Sequence, residues 1–304
     1  MLILGLPLGA CPGERGAGVT ESVEPITLSE EQLRQEVEAW KAEREARLRQ
    51  PDGWLSLVGL EWLEEGSNTI GSAEGNQVLL PTSTPPHLGT LHLEQGAVRF
   101  ETHEGLLVHI DGNEVSSSAL ASDASGAATE VRIGSVLFYL IARGDQIGVR
   151  VKDSEAETLL HFEGLDYYDL EPSWALSATF RPHDPPKSIP VPNVLGTVNE
   201  TPSPGALEFQ VDGTSHRLDV LDGGEGELFV LFSDQTNGSE TYGAGRFLYT
   251  STADEQGRVL LDFNRAYSPP CVFTPYATCP LPPSQNRLAL AVTAGEKNYA
   301  GSAH

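Results

Sequence analysis

The sequence predicts a mainly β protein in three parts: an N-terminal helix, a small β-sandwich, and a C-terminal antiparallel β-barrel or barrel-like sheet. Three observations carry that expectation. Only residues 28–50 space their apolar side chains for a helix, whereas from Trp54 onward the chain breaks into short β-rich runs bounded by Gly, Pro, Asn and Asp. Up to residue 181 the runs recur at near-regular intervals, the pattern of a sandwich. Beyond the five prolines of Pro182–Pro192, seven further runs crowd into the remaining chain, and closing them into a barrel removes exposed edges.

Residues 1–27 are read as a signal remnant or tether. Leu8-Gly9-Ala10-Cys11 ends a short apolar run and resembles a bacterial lipobox. That resemblance implies lipid on Cys11 and residence at the cell envelope, the membrane being met only through that anchor. A frayed cytoplasmic terminus is the alternative, because no basic stretch precedes the run. Ser29 and Gln32 have capping-box spacing, so a helix starts there. Leu33, Val37, Trp40 and Leu48 share one face, and Pro51-Asp52-Gly53 stops the helix near Gln50.

In the sandwich, residues 51–181, strands are expected at 54–60, 68–71, 77–80, 89–93, 97–100 and 106–110. Residues 116–129 read as an exposed loop, and strands resume at 130–133, 136–141 and 147–153, the last pair turning at Gly144-Asp145. Phe162, Tyr167, Tyr168 and Trp174 form an aromatic crossing before a strand at 175–180. Residues 182–192 read as a proline-rich linker. The barrel, residues 193–300, is expected to hold strands at 189–199, 205–211, 216–220, 227–232, 241–249, 259–267 and 287–294.

Nineteen Lys and Arg stand against 43 Asp and Glu, a formal charge of −24, so a nucleic acid would be repelled at long range and is set aside as a partner. No Gly-x-Ser-x-Gly elbow and no glycine-rich phosphate loop occurs. Nothing in the sequence calls for a cofactor.

Candidate chemistry concentrates at Val259–Lys297. Alternation puts Asp262 and Asn264 on one side of a strand, and Tyr242 and Arg246 share a face of the preceding one. If the two strands pair, Arg246 lies beside Asp262 or Asn264 in a seat for an anion or polar ligand, with Asn286, Arg287, Glu296 and Lys297 able to complete it. The competing reading is a buried Arg–carboxylate network that fixes strand register. A carboxylate pair such as Asp262 with Glu296 would suit a hydrolase. Cys271 and Cys279 enclose a proline-rich loop and read first as structural, a disulfide contributing about 2–3 kcal/mol by loop closure. Zinc is disfavoured, since no further Cys or His stands near them, and no metal site is expected.

Two resemblances bear on this reading. From Asn68-Thr69-Ile70-Gly71 through Val78-Leu79-Leu80 to Val108-His109-Ile110-Asp111-Gly112-Asn113, the order of strands and turns resembles a forkhead-associated domain, over about residues 61–115. In other proteins that sandwich reads phosphothreonine. Here Ser72 stands where the family places an arginine, and no Ser-Arg-x-x-His precedes the Gly89 strand. Residues 51–60 (PDGWLSLVGL), 192–196 (PNVLG), 234–238 (DQTNG) and 241–248 (TYGAGRFL) resemble the prokaryotic domain-of-unknown-function family 1684, over roughly residues 48–299. That kinship implies no activity. The leading expectation is therefore a protein whose C-terminal barrel binds a small polar or anionic ligand. A hydrolase at the same seat, and a protein-interaction module whose polar motif is purely structural, are the alternatives.

Overall fold

The computed structural model describes residues 25–110 and 112–301, so Cys11 and its apolar run lie outside the described residues. Helix α1, Glu30–Leu48, opens on the expected capping box, with Ser29 and Gln32 satisfying each other's backbone amides. It buries Leu33, Val37 and Leu48, and with them Arg44, which sits in the same stripe. The guanidinium enters that apolar face because Glu296, from the other end of the chain, meets it at 2.8 Å and the Ser268 carbonyl accepts at 3.0 Å. Trp40 packs edge-on against Tyr167 and beside Tyr267. No helix among the described residues is long and apolar enough to cross a membrane.

The sandwich is built from β1 (Leu57–Trp62), β2 (Gly66–Gly71), β3 (Val78–Leu79), β4 (Gly89–Glu94), β5 (Ala97–Thr102), β6 (Val108–Ile110), β7 (Asn113–Val115), β8 (Ser117–Leu120), β9 (Val131–Ile133), β10 (Val136–Arg143) and β11 (Gln146–Asp153). One sheet runs β1-β11-β10-β9-β6-β7 and the other β3-β2-β4-β5-β8. Their inner faces meet at Ile70, Leu91, Phe100, Phe138 and Val149, with Phe100 and Phe138 edge to face. Trp54–Ser56, expected as strand, is a 3-10 turn, and Ser117–Leu120, expected as loop, is an edge strand. Its Ser/Ala composition hid it, since its pairing to β5 is carried by backbone groups.

The second sheet system comprises β12 (Ala175–Pro192), β13 (Val198–Val211), β14 (Thr214–Gly224), β15 (Glu227–Phe232), β16 (Arg246–Ser251) and β17 (Arg258–Asp262), in the order β16-β15-β14-β13-β12-β17. Its two edges approach each other. Thr250 donates to the Leu260 carbonyl at 2.7 Å, and Phe247 and Tyr267 exchange both backbone bonds, so the antiparallel sheet nearly closes into a barrel. The core inside holds Leu207, Leu218, Val220, Val230, Phe232, Leu261 and Phe263.

Residues 182–192 are strand, which corrects the linker expectation and moves the start of the barrel sheet from residue 193 to Ala175. Beyond Thr179 the only strand that β12 pairs with among the described residues is β13, so prolines can turn their missing N–H toward the open side. The ladder skips from Pro182–Gly205 to Lys187–Ser203, and this bulge bends β12 into an arm laid over the outside of the barrel. Ile189 and Val191 on the arm pack with Leu221, Leu231, Phe247 and Cys279 in an outer apolar layer. Asn193–Thr197 turns the arm, so the single strand expected at 189–199 is a hairpin. Residues 287–294 form no strand and cross the barrel end as irregular chain.

Arg44 supplies the first test. Arg44→Ala leaves the Glu296 carboxylate buried and unpaired, and should cost about 3–5 kcal/mol in urea unfolding, whereas the double variant with Glu296→Gln should regain part of that loss. An Arg44→Ala protein as stable as the parent would show that the buried pair does not hold the helix.

Candidate functional site

The residues expected to form a ligand seat are all within the described chain, but they do not converge on a cavity. β16 pairs with β15, and β17 ends at Asp262, where the Asp262 side chain caps a 3-10 turn over Phe263–Arg265. The alternation expected through Tyr267 therefore stops at Asp262. Arg246 does not meet Asp262. Its fully buried guanidinium donates to Asp234 at 2.9 Å, to the Val292 carbonyl at 2.8 Å, and to the carbonyls of Ala294 and Glu296.

The other candidates are likewise engaged by protein. Asp262 Oδ1 accepts from the Asn264 amide and side chain, while burial pushes its carboxyl above the usual range. Asn264 also exchanges two bonds with the Glu171 backbone, tying the aromatic crossing to the barrel. Glu296 holds Arg44 with one oxygen and the Ser268 amide with the other, so it does not share a pocket with Asp262 as an acid–base pair would. Tyr242 is half-buried in the apolar cluster around Phe162 and Phe273, and Arg287 is exposed. Cys271 and Cys279 are joined as a disulfide, and no group of metal-ligating side chains occurs among the described residues.

Asn286 leads to the place where polar groups do converge. It accepts from the Asp219 amide and donates to the carbonyls of Asp219 and Leu231, each at 2.8 Å, which fixes the 3-10 turn Ser284–Asn286 against β14 and β15. Next to it lies a cleft of about 380 Å³ lined by Lys187, Arg217, Asp219 and Gln285. Three pieces of local structure build it. The β12 bulge brings His183 and Lys187 over the barrel, period-two alternation puts Arg217 and Asp219 on the outer face while Leu218 and Val220 enter the core, and the 3-10 turn presents Gln285.

Asp219 is the hub. Although only 5% exposed, it faces four side chains: Lys187 at 3.2 Å and Gln285 at 3.2 Å on Oδ2, His183 at 3.4 Å and Arg217 at 3.6 Å toward Oδ1. Oδ1 and His183 Nε2 make no hydrogen bond among the described residues. Burial, then the neighbouring Lys187 charge, holds His183 below the usual imidazole value. Arg217 also pairs with Glu208, which Arg181 clasps from the other side, and those bonds hold the Glu208 carboxyl below its ordinary range. Three fixed cations thus face two carboxylates. A second depression, about 420 Å³ on the sandwich, is lined by His109, Gly112, Glu130, Arg132 and Gly134. Its charged side chains are about half exposed and paired with neighbours, as on any solvated surface.

Sequence reasoning missed Lys187 and His183 because the prolines around them read as a linker. Arg217-x-Asp219 was legible as an outward-facing pair, but nothing local showed what would cover it. Arg246→Met should lower stability by about 3–5 kcal/mol because Asp234 is left buried and unpaired. Asn286→Ala should cost less, about 1–3 kcal/mol for the buried groups it strands. Chemical denaturation checks both, and an Arg246→Met protein of parental stability would return Arg246 to the list of ligand-facing groups.

Comparison with known proteins adds kinship. An uncharacterized protein of Haloarcula marismortui, solved by solution NMR, is 33% identical over 48% of this chain and 82% of that one, at a TM-score of 0.40. Two forkhead-associated domains are also matched. One, from work on phosphothreonine-dependent interactions of such domains, is 16% identical over 31% of this chain and 92% of its own, at a TM-score of 0.22. The other, the FhaA domain complexed with the intracellular domain of Rv3910, is 17% identical over 31% of this chain and 97% of its own, also at 0.22. No curated protein matches. A family model described as "Protein of unknown function (DUF1684)" matches residues 160–297, a span that holds the 192–196, 234–238 and 241–248 motifs, the cleft and the Arg246 network, and the chain belongs to that family.

Proposed function

We propose that the C-terminal barrel binds a small anionic ligand in the cleft lined by Lys187, Arg217, Asp219 and Gln285. The observation that supports this reading is the local charge. In a chain of formal charge −24, Lys187 and Arg217 outnumber Asp219 in the lining of one concave site. The net charge repels an anion at long range, whereas at this cleft it meets two partly exposed cationic heads held in place by Asp219. Gln285 adds an uncharged amide that can turn either a donor or an acceptor to the ligand. The volume exceeds that of a single inorganic anion and lies at the small end of ligand sites.

Inorganic phosphate is the simplest probe, at low ionic strength where exposed charges act most strongly. Thermal unfolding should shift upward with phosphate, by an amount equivalent to about 2.7 kcal/mol at a hundredfold excess over Kd. Lys187→Ala with Arg217→Ala should abolish the shift; because the substitutions leave the nearly buried Asp219 carboxylate without those cations, the unliganded transition falls as well, and the phosphate shift is read against each protein's own unliganded midpoint. Either no phosphate shift in the parent protein or a shift that survives the double substitution would refute this site.

A further inference from the structure

We propose that anion binding at the cleft is coupled to uptake of a proton by His183, so that the site takes an anion and a proton together and holds its ligand more tightly as the pH falls. The inference rests on the anion-binding reading and adds a regulation to that same site. Asp219 makes the link. Its carboxylate is only 5% exposed, and two kinds of partner surround it. Lys187 and Arg217 hold it from the solvent side, with side chains 45% and 47% exposed, whereas the His183 side chain is 9% exposed. An anion entering from solution therefore meets the two cations and not the imidazole.

The imidazole and the carboxylate are set close together but unbonded. His183 Nε2 stands 3.4 Å from Asp219 Oδ1, and both atoms are buried without a hydrogen bond among the described residues. A buried acceptor left open beside a titratable ring nitrogen is a place for a proton. In the imidazolium both nitrogens carry hydrogen, so Nε2 donates to Oδ1 after a small movement of the ring. Asp219 waits for it in a fixed position, since Asn286 binds its backbone amide and carbonyl while Lys187 and Gln285 occupy Oδ2.

Charge is what keeps the proton off the empty site. Burial holds the His183 imidazole below its usual value, the Lys187 charge adds to that effect and Arg217 adds again, while Asp219 pulls the other way. Lys187 shares strand β12 with the ring, Asp219 and Arg217 face it from β14, and the 3-10 turn brings only the uncharged Gln285. Glu208 on β13 and Arg181 on β12 pair with each other and reach the group through Arg217, and the neighbouring Asp184 is exposed. An anion bound to Lys187 and Arg217 offsets two of the three causes that lower the imidazole. The ring then gains a proton from solvent at a pH where the empty cleft leaves it neutral, and no covalent bond between heavy atoms changes. The sign follows from linkage. Below the value of the empty cleft His183 is charged in both states and affinity is highest; affinity declines between that value and the higher, anion-bound one, and levels off above it.

Calorimetric titration of the full chain with sulfate tests the coupling, because sulfate keeps one charge state between about pH 5 and pH 8, where histidine titrates. Measured near neutrality in two buffers of different ionisation enthalpy, the parent protein should take up a fraction of a proton per sulfate. Sulfate should also bind roughly tenfold more tightly at the acid end of that range than at the basic end, the change that one unit of imidazole shift produces. In His183→Gln sulfate should still bind, but without proton uptake and with most of the pH dependence gone; His183→Asn serves if that variant does not fold. The imidazole signal missing from the variant's NMR spectrum identifies His183 in the parent, where its titration midpoint should rise when sulfate is added. Sulfate bound without proton uptake, uptake that persists in the variant, or a midpoint that sulfate leaves in place or lowers would each overturn the coupling. Failure of sulfate to bind at any pH overturns it as well, and the phosphate shift of the parent against the Lys187→Ala/Arg217→Ala protein then decides the cleft by itself.

Discussion

The Arg246–Asp234 ion pair is the interaction on which the C-terminal half depends. A guanidinium with no solvent exposure is tolerable only if its charge and most of its protons are matched on the spot, and the surrounding chain matches both terminal nitrogens, leaving only Nε without an acceptor among the described residues. Asp234 provides the charge, and the otherwise irregular segment Val292–Glu296 provides carbonyls. The second Asp234 oxygen takes the amides of Thr236 and Val292 and the Thr236 hydroxyl, which passes the constraint on to Thr241. Two loops with no ladder of their own are fixed in this way by one side chain. Burial pulls the Arg246 guanidinium below its usual value, and the Asp234 carboxylate opposes that pull.

From there order spreads outward by contact. The segment held by Arg246 ends at Glu296, which takes Arg44, so the helix at the start of the described chain is bound to its far end. Asn286 plays the corresponding part at the cleft. By saturating the Asp219 backbone, it leaves that side chain alone to face the cations. In both places amide or guanidinium groups spend their donors on carbonyls of chain that forms no sheet, the general requirement for irregular backbone in a protein interior.

How much of this was legible depended on whether the signal was local. The capping box at Ser29, the hairpin turn at Gly144-Asp145 and the strand at 216–220 were readable because each is written within a few residues. The β12 arm was not. A proline run carries the same letters whether it is a linker or a one-sided strand, and only the neighbour on its paired side decides. Arg246 was recognised as unusual but given the wrong partner, because adjacency of β16 and β17 in sequence was taken for adjacency in a ladder. Asp234 stood in a quoted motif all along, and its role needed the fold around it. His183 and Lys187 come to Asp219 through a bulge that no periodicity encodes.

The bond between Arg44 and Glu296 has one more consequence, for where this protein can be cut. The family match begins at residue 160, after the helix and the sandwich, and ends one residue beyond Glu296. A piece excised at those limits would keep every barrel strand and the whole cleft, yet would expose the apolar groups that α1 covers and leave a carboxylate without its counter-ion. Sequence kinship and folding autonomy therefore part company here. The matched segment is not closed on itself in this chain, because Glu296 draws its counter-ion from a helix that lies outside the match.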